Sequence, residues 1–113
     1  MSEESLSWTF LSNYAHVLIS IAESPSIRLR DTALKVDITE RSAQRIINHL
    51  RDAGVLIASK KGRRNHYFIN PDAPLRHPVE AHCTVETLLN AVLDKKQVSA
   101  LRKRFEESQA IHA

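Results

Sequence analysis

The sequence predicts a mainly α-helical domain with one small β-hairpin, an α+β arrangement. Apolar residues recur at helical spacing in several segments, and two short strand-like runs flank a basic connection. Both glycines fall where a left-handed backbone is needed, one after a predicted helix and one at the hairpin tip. An apolar fraction of 42% with 26% charged residues is typical of globular proteins. A chain of 113 residues has the size of one domain.

The N-terminal part of the chain is predicted to contain one helix. Residues 1–7 are polar and are expected to form a flexible N-terminus. Apolar side chains recur at helical spacing from Trp8 to Ala22, and Ser24–Ser26, with a central proline, ends that helix. The short alternating run from Ile27 to Arg30 could form a small strand. We therefore expect a helix followed by a turn and an optional strand.

Two further helices are predicted in close succession. Asp31 to Val36 forms a short helix, and Asp37–Ile38 forms the turn that follows it. Asp tolerates the left-handed conformation that such a turn requires. Thr39 is a suitable N-cap for a helix from Glu40 to Ala53, and Gly54 occupies the usual position after a helix C-terminus. The pattern indicates two helices joined by a tight turn.

The remainder of the chain is predicted to form a hairpin and two helices. Val55 to Lys60 and His66 to Asn70 are strand-like runs, and residues 61–65 connect them. Apolar stripes then predict a helix within Pro78 to Lys96 and a last helix from about Lys96 to Ser108.

Positive charge is concentrated in residues 28–66. Ten basic and four acidic side chains give this segment a net charge of +6, whereas residues 1–27 carry −3 and residues 67–113 are balanced. The positive segment coincides with the two close helices and the hairpin. Such a basic surface is typical of proteins that bind nucleic acids.

The helix from Glu40 to Ala53 has a polar face opposite its apolar stripe. Arginine can bond guanine bidentately, and glutamine or asparagine can do the same to adenine. Hydroxyl groups at a helix N-terminus can hold a phosphate. The alternative is that this face is merely solvated. The candidate DNA-contacting residues of this helix are Thr39, Arg41, Ser42, Gln44, Arg45, Asn48 and His49.

The hairpin connection is also rich in positive charge. Its side chains could contact backbone phosphates or the adjacent minor groove. The charges could equally protect the edge of the sheet from aggregation, and both roles are compatible. The candidate DNA-contacting residues of the hairpin are Lys60, Lys61, Gly62, Arg63, Arg64 and Asn65.

Three runs of residues together resemble bacterial winged-helix transcription regulators of the MarR-like and ArsR-like superfamily. The run from Arg30 to Ile46 resembles their helix-turn-helix, Leu50 to Leu56 the segment after it, and Gly62 to Tyr67 their wing. The resemblance covers about residues 8–93. It implies a winged helix-turn-helix with a C-terminal helical extension, and a sequence-specific regulator of transcription that binds double-stranded DNA.

The resemblance also implies a homodimeric repressor on a pseudo-palindromic operator. Residues 8–75 would form the DNA-binding domain, and residues 76–113 would contribute to dimerisation. Alternatively, the same apolar stripes only cover the core of one chain. A small-molecule or metal effector is possible in such regulators, but no residue pattern supports one here. The candidate dimer residues are Trp8, Phe10, Tyr14, Leu88, Leu89 and Val92.

Other chemistry has little support in the sequence. A metal- or redox-responsive site in the region from His77 to Glu86 is an alternative, because it also contains Glu80, His82 and Cys83. These residues show no matched ligand repeat, so no metal or cofactor is predicted. No catalytic motif is present, so the chain is not expected to be an enzyme. A second alternative is a winged helix that docks a protein partner in a larger assembly.

The sequence gives no sign of a membrane association. The start of the chain is acidic where a signal peptide would be basic. The longest apolar run, from Ala15 to Ala22, is too short to span a bilayer. We therefore expect a cytoplasmic protein without a membrane partner.

Overall fold

The computed structural model describes residues 7–112, which form five helices and one two-stranded antiparallel hairpin. The expected α+β class is confirmed, whereas the expectation for the N-terminus lies mostly outside the described residues. In that part of the chain, no helix has both the length and the apolar character that a bilayer crossing requires. The elements are α1 (Asn13–Glu23), α2 (Leu29–Val36), α3 (Glu40–Asp52), β1 (Leu56–Lys61), β2 (Arg64–Ile69), α4 (Val85–Val92) and α5 (Lys95–His112).

Local sequence signals define the ends of α2 and α3. Asp37 adopts the left-handed conformation with φ of 65° and ends α2, as predicted. The Thr39 hydroxyl accepts a hydrogen bond from the Ser42 backbone N–H at 3.0 Å, which caps α3. Gly54 follows α3 with φ of 78°. The two helices are therefore joined by a turn that only a few residue types can adopt.

The hairpin is tighter than the sequence predicts. The strands pair from Leu56 with Ile69 to Lys61 with Arg64, which leaves a two-residue turn. Gly62, with φ of 64°, supplies the positive φ that short hairpin turns require. The predicted connection over residues 61–65 is therefore wrong, because residues 61, 64 and 65 belong to the strands.

One hydrophobic core joins the helices to the hairpin. Its largest fully buried side chains include Ile21 of α1, Leu89 of α4 and Leu101 of α5. Ile47 of α3 and Ile69 of β2 belong to the same cluster, and α5 packs against β2. Burial of this apolar surface holds α3 and the hairpin in a fixed relation to each other.

Two predictions for the N-terminal part of the chain are wrong. α1 begins at Asn13 rather than at Trp8, because Ser12 is an extended N-cap residue and the residues before it are not helical. No strand forms at residues 27–30, since the last two belong to α2. Pro25 instead accepts a hydrogen bond from the Tyr67 backbone N–H at 2.9 Å, so the turn before α2 lies beside β2.

The helix predicted within residues 78–96 is present and occupies only the later part of that range. α4 begins at Val85, after Thr84 as its N-cap. The preceding segment folds back on itself, with a bridge between Pro74 and Thr84 and a 2.9 Å hydrogen bond from the Leu75 N–H to the Cys83 carbonyl. α5 is longer than predicted and ends at His112.

Candidate functional site

Four polar side chains project from the outer face of α3. Arg41, Gln44, Arg45 and Asn48 are all exposed, whereas Ala43 and its apolar neighbours on the opposite face are buried. The Gln44 Nε2 donates to the Asn48 Oδ1 at 2.9 Å, so these two amides lie side by side along the helix. The structure therefore brings these four predicted residues together on one solvent-facing strip.

Thr39 and Ser42 lie at the N-terminus of this strip. The Thr39 hydroxyl accepts from the Ser42 N–H and donates to the Ser42 hydroxyl, both at 3.0 Å. Both side chains are thus engaged in capping α3. Their hydroxyl groups remain at the positive end of the helix, where an anion is stabilised.

His49 does not belong to the same strip. Its Nδ1 forms a 2.7 Å hydrogen bond with the Tyr14 hydroxyl, and the two rings stack with their centroids 5.9 Å apart. His49 is exposed but turned toward α1, so it lies on the flank of the strip rather than among the arginines of α3. The sequence could not indicate this contact, because the two residues are 35 positions apart.

The tip of the hairpin carries exposed positive charge. Lys60, Lys61 and Arg63 are exposed and form no ion pair with any residue that the structure describes. Arg64 is also exposed, but its Nη2 donates to the Ser26 carbonyl. Asn65 is half-buried, and its amide donates to the Tyr67 hydroxyl at 3.3 Å. Of the predicted hairpin residues, the cations at the tip are therefore the most available to a ligand.

An open groove joins α3 to the hairpin. It has a volume of about 390 Å³ and is lined by Gln44 of α3, Arg63 and Arg64 of the hairpin, and Arg28 at the start of α2. The strip on α3 and the basic hairpin thus lie on the same side of the molecule. Ser26 also lines the groove. Neither Ser26 nor Arg28 is among the candidate DNA-contacting residues predicted from the sequence. The general basic character of residues 28–66 is the only sequence signal for Arg28.

His66 lies beneath the basic side chains of the hairpin. Its Nδ1 forms a 2.6 Å hydrogen bond with the Ser26 hydroxyl, and its ring meets the edge of Phe68 at a centroid distance of 5.2 Å. Burial lowers the pKa of His66, and the nearby positive charges of Lys61 and Arg104 lower it further. Positive charge from the hairpin and from α5 therefore converges on this position.

A second, mainly apolar groove lies on the α1 side of α3. It has a volume of about 740 Å³, and its lining includes Phe10, Tyr14, His49 and Leu88. Phe10 lies at the edge of the groove and is 92% exposed. Its ring contacts the ring of Trp8, which is 68% exposed, with the two centroids 5.0 Å apart. An apolar surface thus remains uncovered in the single chain.

Three of the six predicted dimer residues line this apolar groove. Phe10, Tyr14 and Leu88 line it, and Val92 follows Leu88 by one helical turn of α4 with 48% exposure. Leu89 is corrected, because its side chain is fully buried in the core of the single chain and offers no surface to a partner.

Among the described residues, the acidic and histidine side chains after the hairpin are not gathered into one group of metal ligands. Glu86 bonds the guanidinium of Arg102 through both carboxylate oxygens at 3.1 Å, and His77 accepts the Val79 N–H at 3.1 Å. Within residues 7–112, no group of three or more histidine, cysteine or acidic side chains could hold a metal ion. The structure thus gives the metal-responsive alternative no assembled ligand set.

Comparisons with protein-family models, curated proteins and solved structures found no match for this chain. Its function is therefore inferred from its own side chains. Their arrangement presents a polar strip on α3, a basic hairpin beside that strip, and an apolar surface on the α1 side of α3.

Proposed function

We propose that this protein is a sequence-specific DNA-binding regulator of transcription with a winged helix-turn-helix. α2 and α3 form the helix-turn-helix, α3 is the recognition helix, and the hairpin is the wing. The groove shared by Gln44, Arg63 and Arg64 gives this proposal its main support, because it combines base-reading and phosphate-binding chemistry on one side of the molecule.

The strip on α3 has the chemistry needed to read bases. A DNA major groove is about 12 Å wide and admits one α-helix. Arg41 and Arg45 can each donate two hydrogen bonds to guanine, and Asn48 or Gln44 can pair with adenine. Because Gln44 already donates to Asn48, the two amides would act as one hydrogen-bonding unit.

The hairpin supplies the contacts that do not depend on sequence. Lys60, Lys61 and Arg63 are exposed and unpaired among the described residues, so phosphates can neutralise them without breaking an existing ion pair. Binding of this kind releases counterions and makes affinity fall steeply with salt.

We further propose a homodimer that acts as a repressor on a pseudo-palindromic operator. The apolar surface formed by Trp8, Phe10, Tyr14, Leu88 and Val92 would pair two chains, since large exposed aromatic and aliphatic groups favour association. Two recognition helices would then enter successive major grooves, about 34 Å apart.

Selection from random and genomic duplex DNA at two salt concentrations tests this proposal directly. We expect recovery of an inverted repeat, with an affinity that falls steeply as salt rises. Salt-dependent binding without a motif would contradict sequence-specific regulation. Absence of binding at both salt concentrations would contradict DNA binding altogether.

One observation favours a second function, the docking of a protein partner. Trp8 and Phe10 are exposed beside an apolar groove, which is also the chemistry of a protein interface. The positive hairpin has no role in that alternative. Protein docking would replace the first proposal if the protein failed to bind DNA and instead bound a partner chain with an affinity that does not depend on salt.

A further inference from the structure

Three consecutive basic residues of α5 point in three different directions. Successive residues of a helix are rotated by about 100° around its axis. Leu101 is buried in the core, so Arg102 and Arg104 lie on opposite flanks of the buried stripe. Lys103, between them, is exposed to solvent. The three basic residues 102–104 are adjacent in the sequence, but their side chains lie in three different environments.

Arg102 is occupied by acidic groups. Its Nη2 contacts the Asp72 Oδ1 at 2.7 Å and the Glu86 Oε1 at 3.1 Å, and its Nη1 lies 3.5 Å from a Glu106 carboxylate oxygen. The hydrogen bonds that Arg102 donates to Asp72 and Glu86 raise the pKa of Arg102. Its charge is therefore compensated within the chain, and it is not available to an anionic partner.

Arg104 lies on the flank of α5 that faces the hairpin. α5 packs against β2, and Arg104 is half-buried. It lies near enough to His66 that its charge, with that of Lys61, opposes protonation of the ring. No residue in the described part of the chain forms an ion pair or hydrogen bond with Arg104.

The positive surface therefore continues beyond the hairpin. His66 is bonded to Ser26, and Ser26 lines the groove that contains Arg64 and Gln44. Lys61 pairs with Arg64, and residues 64 and 66 of β2 share one face, so Lys61 lies on the same face of the hairpin as His66. Because α5 packs against β2 and Arg104 acts on the same ring, positive charge continues from the groove to α5. No acidic partner neutralises either cation among the described residues, which leaves a patch complementary to a strongly anionic group.

We propose that Arg104 and Lys61 bind a backbone phosphate of the DNA, so that the contact surface extends from the hairpin onto α5. This inference rests on the proposed function. A guanidinium suits this role because it can donate two parallel hydrogen bonds to phosphate oxygens. α5 is then part of the DNA interface as well as part of the core.

The salt dependence of DNA binding tests this inference. The full chain and its Arg104→Gln, Arg104→Lys and Lys103→Gln variants would be titrated with a random-sequence duplex over a series of salt concentrations. Arg104→Gln should reduce the slope of log affinity against log salt by about one, because one phosphate contact is lost. Arg104→Lys keeps the charge and should retain most of the slope. Lys103→Gln removes the same charge from the solvent face and should leave the slope unchanged.

Two controls separate a lost contact from a lost fold. Thermal unfolding should give folded, cooperative transitions for all variants. Nuclear magnetic resonance titration of the ring should give a higher pKa for His66 in Arg104→Gln than in the parent, because one repelling charge is gone. An unchanged pKa would show that Arg104 does not lie beside His66 and would overturn the inference.

The failure of this inference differs from the failure of the proposed function. If the parent binds DNA and Arg104→Gln has the same slope, or Lys103→Gln loses as much slope, only the contact by α5 is overturned. If the parent does not bind DNA at any salt concentration, the proposed function fails and this contact fails with it.

Discussion

Arg45 and Arg63 are both exposed arginines, but they lie on elements that we propose to meet different parts of a DNA duplex. Arg45 belongs to the outer strip of α3. We expect Arg45→Ala to cost about 1–3 kcal/mol of binding free energy at a cognate site and to relax specificity at one base position. Competition between duplexes that differ at each position of the selected motif measures both effects.

Arg63 lies at the turn of the hairpin, where phosphates are the expected partners. We expect Arg63→Ala to weaken binding to all sequences alike and to reduce the salt slope by about one. The same titrations on cognate and scrambled duplexes measure this. If Arg45→Ala and Arg63→Ala gave the same pattern of loss, the division of roles between α3 and the hairpin would be incorrect.

Single residues with local roles could be predicted from the sequence, whereas those with distant partners could not. Thr39, Asp37 and Gly62 act through their own backbone or the next turn, so their surroundings were present in the local sequence. Arg102 bonds Asp72, 30 positions away, and His49 bonds Tyr14 across two helices. Only the packing of the whole chain could bring such pairs together.

Among the elements, the turn between α2 and α3 sets the direction of α3, the proposed recognition helix. Asp37 has φ of 65°, a conformation that costs an L-residue other than Asp, Asn or Gly roughly 1–2 kcal/mol. We therefore expect Asp37→Ala to lower the free energy of unfolding by about 1 kcal/mol. Urea denaturation measures this change. Asp37→Gly is the matched control and should remain near the parent, because glycine adopts the conformation freely. An equal loss in both variants would show that the Asp side chain itself stabilises the turn.

A second element-scale contact fastens α5 to the rest of the chain. Arg102 is the only described residue that bonds both Asp72 and Glu86. We expect Arg102→Ala to lower the free energy of unfolding by about 1 kcal/mol, the upper range for a partly exposed ion-pair network. Thermal or urea unfolding would measure it, with Lys103→Ala as the matched control. A loss in Lys103→Ala as large as that in Arg102→Ala would contradict a specific role for the network.

The same network predicts a dependence on pH. The hydrogen bond from Arg102 lowers the pKa of Asp72, so the folded state favours the ionised carboxylate. The resulting stability is complete above the unfolded pKa of about 4 and is lost as pH falls through the lower, folded value. The stability difference between parent and Arg102→Ala should therefore shrink in strongly acidic solution. A difference that stays constant down to low pH would mean that the pair contributes through packing rather than charge.

The elements differed in how well the sequence predicted them. α3 was predicted to within one residue, because a capping residue and a glycine define its ends locally. The hairpin was predicted in place, but the length of its turn was not. The predicted start of α1 at Trp8 precedes the observed start at Asn13. Trp8 and Phe10 extend the apolar pattern in the sequence, but their side chains are exposed and lie outside the helix. The sequence pattern does not define where α4 begins, because the preceding segment is folded back by hydrogen bonds such as that from the Val85 N–H to the Ala73 carbonyl. The residues of the strip on α3 could be predicted from helical spacing and side-chain chemistry. The groove that joins the strip to the hairpin could not, because its lining residues are brought together only by the folding of the chain.

At the scale of the whole molecule, charge and apolar surface are separated. The basic groove and the strip on α3 lie on one side, and the apolar groove with Phe10 at its edge lies against α1. A pseudo-palindromic site would need two such chains joined through the second surface, so that both basic surfaces meet one duplex. DNA affinity should therefore depend on residues that never contact DNA.

Phe10→Asp tests this coupling, because a carboxylate at an apolar interface is costly to desolvate. We expect the dimer dissociation constant to rise by roughly 30-fold or more, the loss typical of a central aromatic contact. Light scattering and sedimentation velocity measure it. Leu34→Asp is the matched control: Leu34 is 70% exposed on α2 and outside the apolar groove, so its replacement should leave the dimer intact.

The same two variants should differ in DNA binding in a way that identifies the dimer as the cause. Phe10→Asp should lose affinity for the full inverted repeat but retain the weak affinity of the parent for a single half-site, because its α3 and hairpin are unchanged. Leu34→Asp should keep the parent's ratio of affinities for the two duplexes, because the carboxylate it adds to α2 repels the phosphates of both duplexes alike. If Phe10→Asp remained dimeric, or if a monomeric variant bound the repeat as tightly as the parent, the apolar surface would not be what joins two chains on DNA. Its partner would then be another protein.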